Sequence, residues 1–325
     1  MTQFKHSADK WPVTIVVALS VLDLGVYFAV ENVWLLLAYW LLMIVPKGCI
    51  SAWNHHHQHA STFRSVALNR ALELSYTLHT GMATNLWVLH HVLGHHLNYL
   101  NQKLDQSRWK RDDGTTMGML EYSFVVAGTS YYRAFQIGKS FPRHRRDFVI
   151  WTSVALACVV ALTYFRPLQG LLVFVVPMIT CLLFTAWVTY DHHAGLYTDN
   201  PFEASYNIMN PWYNRLTGNL GYHTAHHYRQ GVHWSQLPSL HRELADRIPA
   251  QYYCSSTFDL LLPANRPSSN PASVAASIPT GAAVTIPAQS LTGHGGLTGH
   301  GGLTDHGGLT ERAQLSGPDS PLTDA

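Results

Sequence analysis

The sequence predicts an all-α membrane protein in which four transmembrane helices, arranged as two hairpins, carry a helical cap on one side of the bilayer. Three observations lead there. Two pairs of apolar runs, each near the ~20 residues that cross the hydrocarbon core, flank a long segment, 51–147, that contains no such run. The 325-residue chain is 47% hydrophobic and 12% charged, poor in charge for a soluble protein. Lys and Arg concentrate on one side of the expected spans, the distribution that marks the cytosolic face.

Residues 1–10 are polar and carry Lys5 and Lys10, and an apolar run follows from Trp11 to Val30. No small-residue cleavage site follows it and a second apolar run begins at once, so a hairpin is expected rather than a cleaved signal peptide. Its helices cover 12–30 and 33–50, with Glu31-Asn32 as the turn. Asp23 lies inside the first span, where a carboxylate is costly, so it is expected to face protein or water and to hydrogen-bond.

Segment 51–147 holds eleven of the 21 Lys and Arg residues and reads as a cytosolic cap. Within it 61–101 has helical character, with Thr80-Gly81 as an interruption. Residues 102–116, containing Asp112-Asp113-Gly114, form a turn-rich loop. Residues 119–141 make an amphipathic, aromatic-rich helix suited to the bilayer interface, and the cluster Arg143–Arg146 suits an anionic lipid surface.

The second hairpin spans 148–165 and 168–189, turning at Arg166-Pro167, with Pro177 a candidate kink. Residues 190–253 complete the cap. A membrane domain over 1–262 is expected to be followed by a tail, 263–325, rich in Pro, Ser, Ala and Gly, where LTGHGG recurs at Leu291 and Leu297 and LTDHGG stands at Leu303. Such a tail cannot bury a core and is read as disordered. Both termini and the cap are placed in the cytosol.

The four cysteines are scattered with no CxxC pair, so no disulfide framework is indicated. A net charge of +2 without a basic stripe excludes a nucleic-acid binder.

Chemistry concentrates in histidine. Nine of the 21 histidines fall between His55 and His96, in NHHHQH at 54–59 and HHVLGHH at 90–96, apart from His79, and a third cluster, HTAHH, stands at 223–227. On a helix, residues four apart share a face, which pairs His55 with His59, His91 with His95, and His223 with His227. His96 and His226 add nitrogens about 100° around the same helices. Neutral imidazole is the commonest metal ligand, and the absence of cysteine from every cluster argues against a thiolate zinc site. Eight imidazoles exceed the needs of one ion, which implies two. His57 lies about 200° around a helix from His55 and is a weaker candidate. His56 and His90 read as outer or surface groups, and His6, His79, His144, His233 and His241 as ordinary histidines. Asn98 is a candidate to orient a ligand or water.

The order HxxxH, HxxxHH, HxxHH among hydrophobic spans resembles the membrane-bound fatty acid desaturases and hydroxylases, over roughly 11–249. That resemblance implies a non-haem di-iron centre that uses O2, a fatty acyl lipid substrate, and the ligands His55, His59, His91, His95, His96, His223, His226 and His227. It also implies a ninth ligand near the end of the last span, where Asp191-His192-His193 stands. His193 is preferred, with His192 as rival and Asp191 as an imidazole acceptor. No fused cytochrome signature is present, so a separate electron donor is expected, such as a ferredoxin or a cytochrome b5-like protein. Desaturation is the leading reaction. Oxidative decarboxylation of free fatty acids to terminal alkenes, as in bacterial membrane decarboxylases, is the alternative, and carotenoid or lipid hydroxylation or ketone formation is third. A histidine-rich metal transporter or store would place ionisable groups along its spans, where this reading finds only Asp23.

Overall fold

The computed structural model describes residues 3–255; the expected tail at 263–325 lies outside them. Helices α1 (Lys10–Ala29) and α2 (Val33–His59) form the first hairpin. Next come α3 (Val66–Thr80), a π-helix (Trp87–His96) and α4 (Met119–Ile137). The second hairpin is α5 (Pro142–Phe165) and α6 (Pro167–His193). Short helices α7 (Pro211–Thr217), α8 (His223–Tyr228) and α9 (Leu237–Leu244) follow, and β1 (Asn207–Ile208) pairs in parallel with β2 (Tyr253–Cys254).

Four helices are long and apolar enough to cross a membrane: 7–29, α2, α5 and α6. Their large apolar side chains point outward, among them Val21, Phe28, Trp34, Leu42 and Leu156, as they must where the solvent is hydrocarbon. The hairpin turns are tied to each other. Tyr27 Oη donates to the Leu162 carbonyl at 2.8 Å, Gln169 Nε2 to the Val30 carbonyl at 3.1 Å, and Arg166 reaches the Phe28 carbonyl and Glu31. Asn32 caps α2 by accepting from Trp34 N and Leu35 N.

The spans run past their expected ends. Helix α2 continues from 50 to His59 and α6 from 189 to His193, so one unbroken rod leaves the apolar zone and carries histidines at its tip. Falling hydropathy marks where a helix meets water, not where its hydrogen-bond ladder stops.

A polar node lies among the spans. Asp23 accepts from Tyr39 Oη at 2.6 Å and from Lys47 Nζ at 2.8 Å, and stands 3.0 Å from His79 Nδ1. Lys47 lies within the second expected span, 33–50, so the spans offer a buried ion pair rather than Asp23 alone, and His79 is a buried partner rather than an ordinary histidine. Lys47 also donates to the Val173 carbonyl at 3.0 Å. Pro177, four residues on, has no N–H to offer that carbonyl, and α6 passes through a π-turn at Gly170–Val175 just before it. The ammonium therefore satisfies an acceptor that the proline leaves open.

The helix expected across 61–101 is two helices. Ser65 caps α3, which ends at Gly81 in the left-handed region (φ +71°), where a Cβ would lie 2.8 Å from the Met178 carbonyl oxygen. A second left-handed residue, Asn85 (φ +62°), then re-aims the chain into the π-helix. Helix α4 ends at Ile137 rather than 141; it buries Tyr122, Val126 and Ala134 and exposes Leu120, Phe124 and Tyr132. Behind α8, Phe202, Ala225, Leu240, Leu244 and Ile248 form a small core.

Candidate metal centre

Four chain segments bring their histidines together: the end of α2, the π-helix, the end of α6, and α8. Nitrogens of His55, His59, His91, His96 and His226 converge within 4.8 Å of one another, and those of His95, His193 and His227 form a second such group. His223 stands beside the second group, its Nε2 3.0 Å from His193 Nε2.

The π-helix corrects one expectation. In an α-helix His91 and His95 would share a face. With i→i+5 hydrogen bonding the turn is wider, and it is His91 and His96 whose Nε2 atoms meet, at 2.9 Å. His95 is turned into the other group, 3.3 Å from His193 Nε2. One ten-residue element thus serves both groups.

Partners behind the rings fix which nitrogen points inward. His95 Nδ1 donates to Asp105 Oδ1 at 2.8 Å, and that oxygen also accepts from Ser107 N at 2.7 Å. His193 Nδ1 donates to the Ala204 carbonyl at 2.9 Å. Both Nε2 atoms therefore present lone pairs to each other across 3.3 Å, a repulsive arrangement that a cation resolves. The Nε2 atoms of His55 and His226 meet at 2.9 Å. Imidazole nitrogens bound to a shared ion at ~2.0–2.1 Å stand about 3 Å apart, so these spacings fit ligation. His59 Nε2 and both ring nitrogens of His227 are buried with no hydrogen-bond partner among the described residues, a cost that ligation would relieve. Burial first, and the neighbouring imidazoles second, hold His91, His96, His223, His226 and His227 well below the ordinary imidazole range. They are neutral, the form that binds metal.

Other histidines turn elsewhere. His57 engages Thr62 Oγ1 at 2.9 Å and Glu73 Oε1 at 3.2 Å. His192 donates from Nδ1 to the Tyr206 carbonyl and accepts the Tyr213 hydroxyl on Nε2, both at 3.2 Å; both nitrogens are occupied, although its ring stacks on His223 at 3.9 Å. His56 and His90 are buried, not surface groups, and His56 Nε2 meets the Thr217 carbonyl at 3.1 Å. His233 pairs with Asp9 at 3.0 Å, and His6 stacks on it. Asn98 donates to the Gly94 carbonyl and so closes the end of the π-helix rather than orienting a ligand. Asp105 was not singled out from sequence. It lies ten residues beyond His95 in a loop whose path no local periodicity gives, and only its Asx-turn onto Ser107 is a local signal.

An apolar cavity of about 290 Å³ opens between α2, α6 and α7. His55, His91 and His223 line it, and Gly48, Trp87, Phe184 and Val188 are among its walls. Two lining residues are exposed, Val45 (62%) and Leu216 (45%), so the cavity reaches the lipid-facing side of α2 and the surface of α7.

Comparison with curated proteins and with solved structures gives no match. A family model described as fatty acid desaturase matches residues 32–257, from the cap of α2 to just past β2, and so includes every histidine of both groups. With four helices able to span a membrane and two histidine groups compatible with a two-metal centre, the chain belongs to the fatty acid desaturase family.

Proposed function

We propose that the protein is an integral membrane di-iron oxidase that desaturates a fatty acyl chain. The observation that carries this reading is the apolar cavity lined by His55, His91 and His223. In this reading, His55, His59, His91, His96 and His226 would hold one iron and His95, His193, His223 and His227 the other. Asp105 and the Ala204 carbonyl lock the rings of His95 and His193 from behind, the role that outer-shell acceptors play at metal sites. Bound iron supplies O2 activation strong enough to take hydrogen from an unactivated C–H bond. The protein's own walls seat the methylenes against the histidines and keep bulk water away. Overall, one O2, two electrons and two protons are consumed, two hydrogens leave adjacent carbons, and two waters form. A separate ferredoxin or cytochrome b5-like protein supplies the electrons from the cytosolic side, where both termini and the centre lie. Residues 263–325 take no part in catalysis.

Desaturation is favoured over decarboxylation by the cavity's charge. Asp191 lines it, and no Lys or Arg does. Away from the irons themselves, a carboxylate inside the cavity would meet no cationic side chain and would share the space with Asp191, and burying a charge without a partner is costly. The head group is therefore placed outside, with interior carbons passing the histidines. The test is to feed deuterated fatty acids to cells expressing the protein and to follow lipids and headspace by mass spectrometry. A labelled product of equal carbon count with one more double bond is expected. A terminal alkene one carbon shorter would replace desaturation by decarboxylation, and no labelled product would reject acyl oxidation.

A further inference from the structure

One glycine and one ring of the cavity wall approach each other closely. Gly48 on α2 faces Phe184 on α6, and a Cβ at position 48 would stand 2.6 Å from Phe184 Cε1 and 2.9 Å from Cδ1. Both residues line the cavity. Gly48 precedes His55 by seven residues, about 10 Å along the helix, so the contact lies between the lipid-facing Val45 and His55. The backbones here are not free to slide. The neighbouring Lys47 is held by Asp23 and by the Val173 carbonyl of α6, which fixes the approach of α2 to α6. Phe184 rests against Trp187, ring centroids 6.1 Å apart at 76°.

We propose that the Gly48–Phe184 contact is the specificity-determining element for chain length: it sets how far an acyl chain extends past the histidines toward Val45. This rests on the acyl-oxidase reading above. A methyl at position 48 must displace the ring, and methyl or ring then takes up cavity space. Removing the ring does the opposite. Because the atom met is the edge of a side chain that can rotate, neither change requires the backbone to move.

The experiment uses full-length Gly48→Ala and Phe184→Ala proteins, with iron content measured to show that each remains assembled. Each is fed saturated fatty acids from decanoate to stearate, and products are quantified. Each purified protein is also photo-cross-linked in lipid nanodiscs to diazirine fatty acids of two lengths. G48A is expected to shift the product and cross-linking ratio toward the shorter chain, and F184A toward the longer, each on the order of tenfold, the scale on which a hydrophobic pocket discriminates a methylene. Wild-type ratios in both variants, or shifts in the same direction, overturn the proposal. If the wild type oxidises no acyl chain, the functional reading fails, and the cross-linking ratios still decide the role of the contact.

Discussion

Asp105 holds His95 through a 2.8 Å bond to Nδ1, and the ring's direction depends on it. Asp105→Asn puts an amide where the acceptor oxygen stood. Iron affinity is expected to fall ~10–100-fold in a chelator competition, and unchanged retention would remove Asp105 from the centre. A second contrast separates neighbours. His59→Ala is expected to lose iron, whereas His57→Ala, removing a ring that serves Thr62 and Glu73, keeps it at the cost of stability; metal analysis of the two proteins decides. Glu73 illustrates the local balance: burial pushes its carboxyl up, but hydrogen bonds from His57 and Thr84 and the Arg70 charge bring it below the usual carboxylate range. At this scale the repeated HxxxH and HxxHH spacings made most of the converging side chains legible. The ~200° offset of His57 from His55 also marked it as the weaker candidate; Asp105 was not legible, because which loop residue arrives behind a ring is set by tertiary path.

At the scale of the element, two irregular helices matter most. The π-helix redistributes His91, His95 and His96 between the groups, and nothing in HHVLGHH marks a π rather than an α period, since its widened turn is held by packing and by Asn98 at its end. In α6, Pro177 is visible in sequence, but its consequence, an open Val173 carbonyl taken by Lys47, needs both helices. Lys47→Met should cost ~3–5 kcal/mol by leaving Asp23 charged and buried without its ammonium, and Asp23→Asn combined with Lys47→Met should cost less than Lys47→Met alone. Urea unfolding in mild detergent measures both; an equal or larger loss in the double variant would contradict the pairing.

At the scale of the whole molecule, four spans were legible because bilayer thickness imposes a length and a composition that survive any packing detail. The ends of α2 and α6 were not, because each helix crosses from lipid into the histidine-bearing region without a break. That continuity lets rods anchored in the membrane present imidazoles at a fixed height, against which the π-helix and α8 close. Truncation after residue 262 is expected to leave iron content and turnover unchanged, and a loss of either would assign a role to the C-terminal segment.

The most direct test of the account is the iron content of the purified full-length protein, measured per chain with Mössbauer spectra of the 57Fe-enriched form. Two irons per chain in nitrogen-rich environments are predicted, with His95→Ala and His226→Ala each losing iron. One iron per chain, or wild-type iron content in both variants, would contradict a centre built from the two histidine groups.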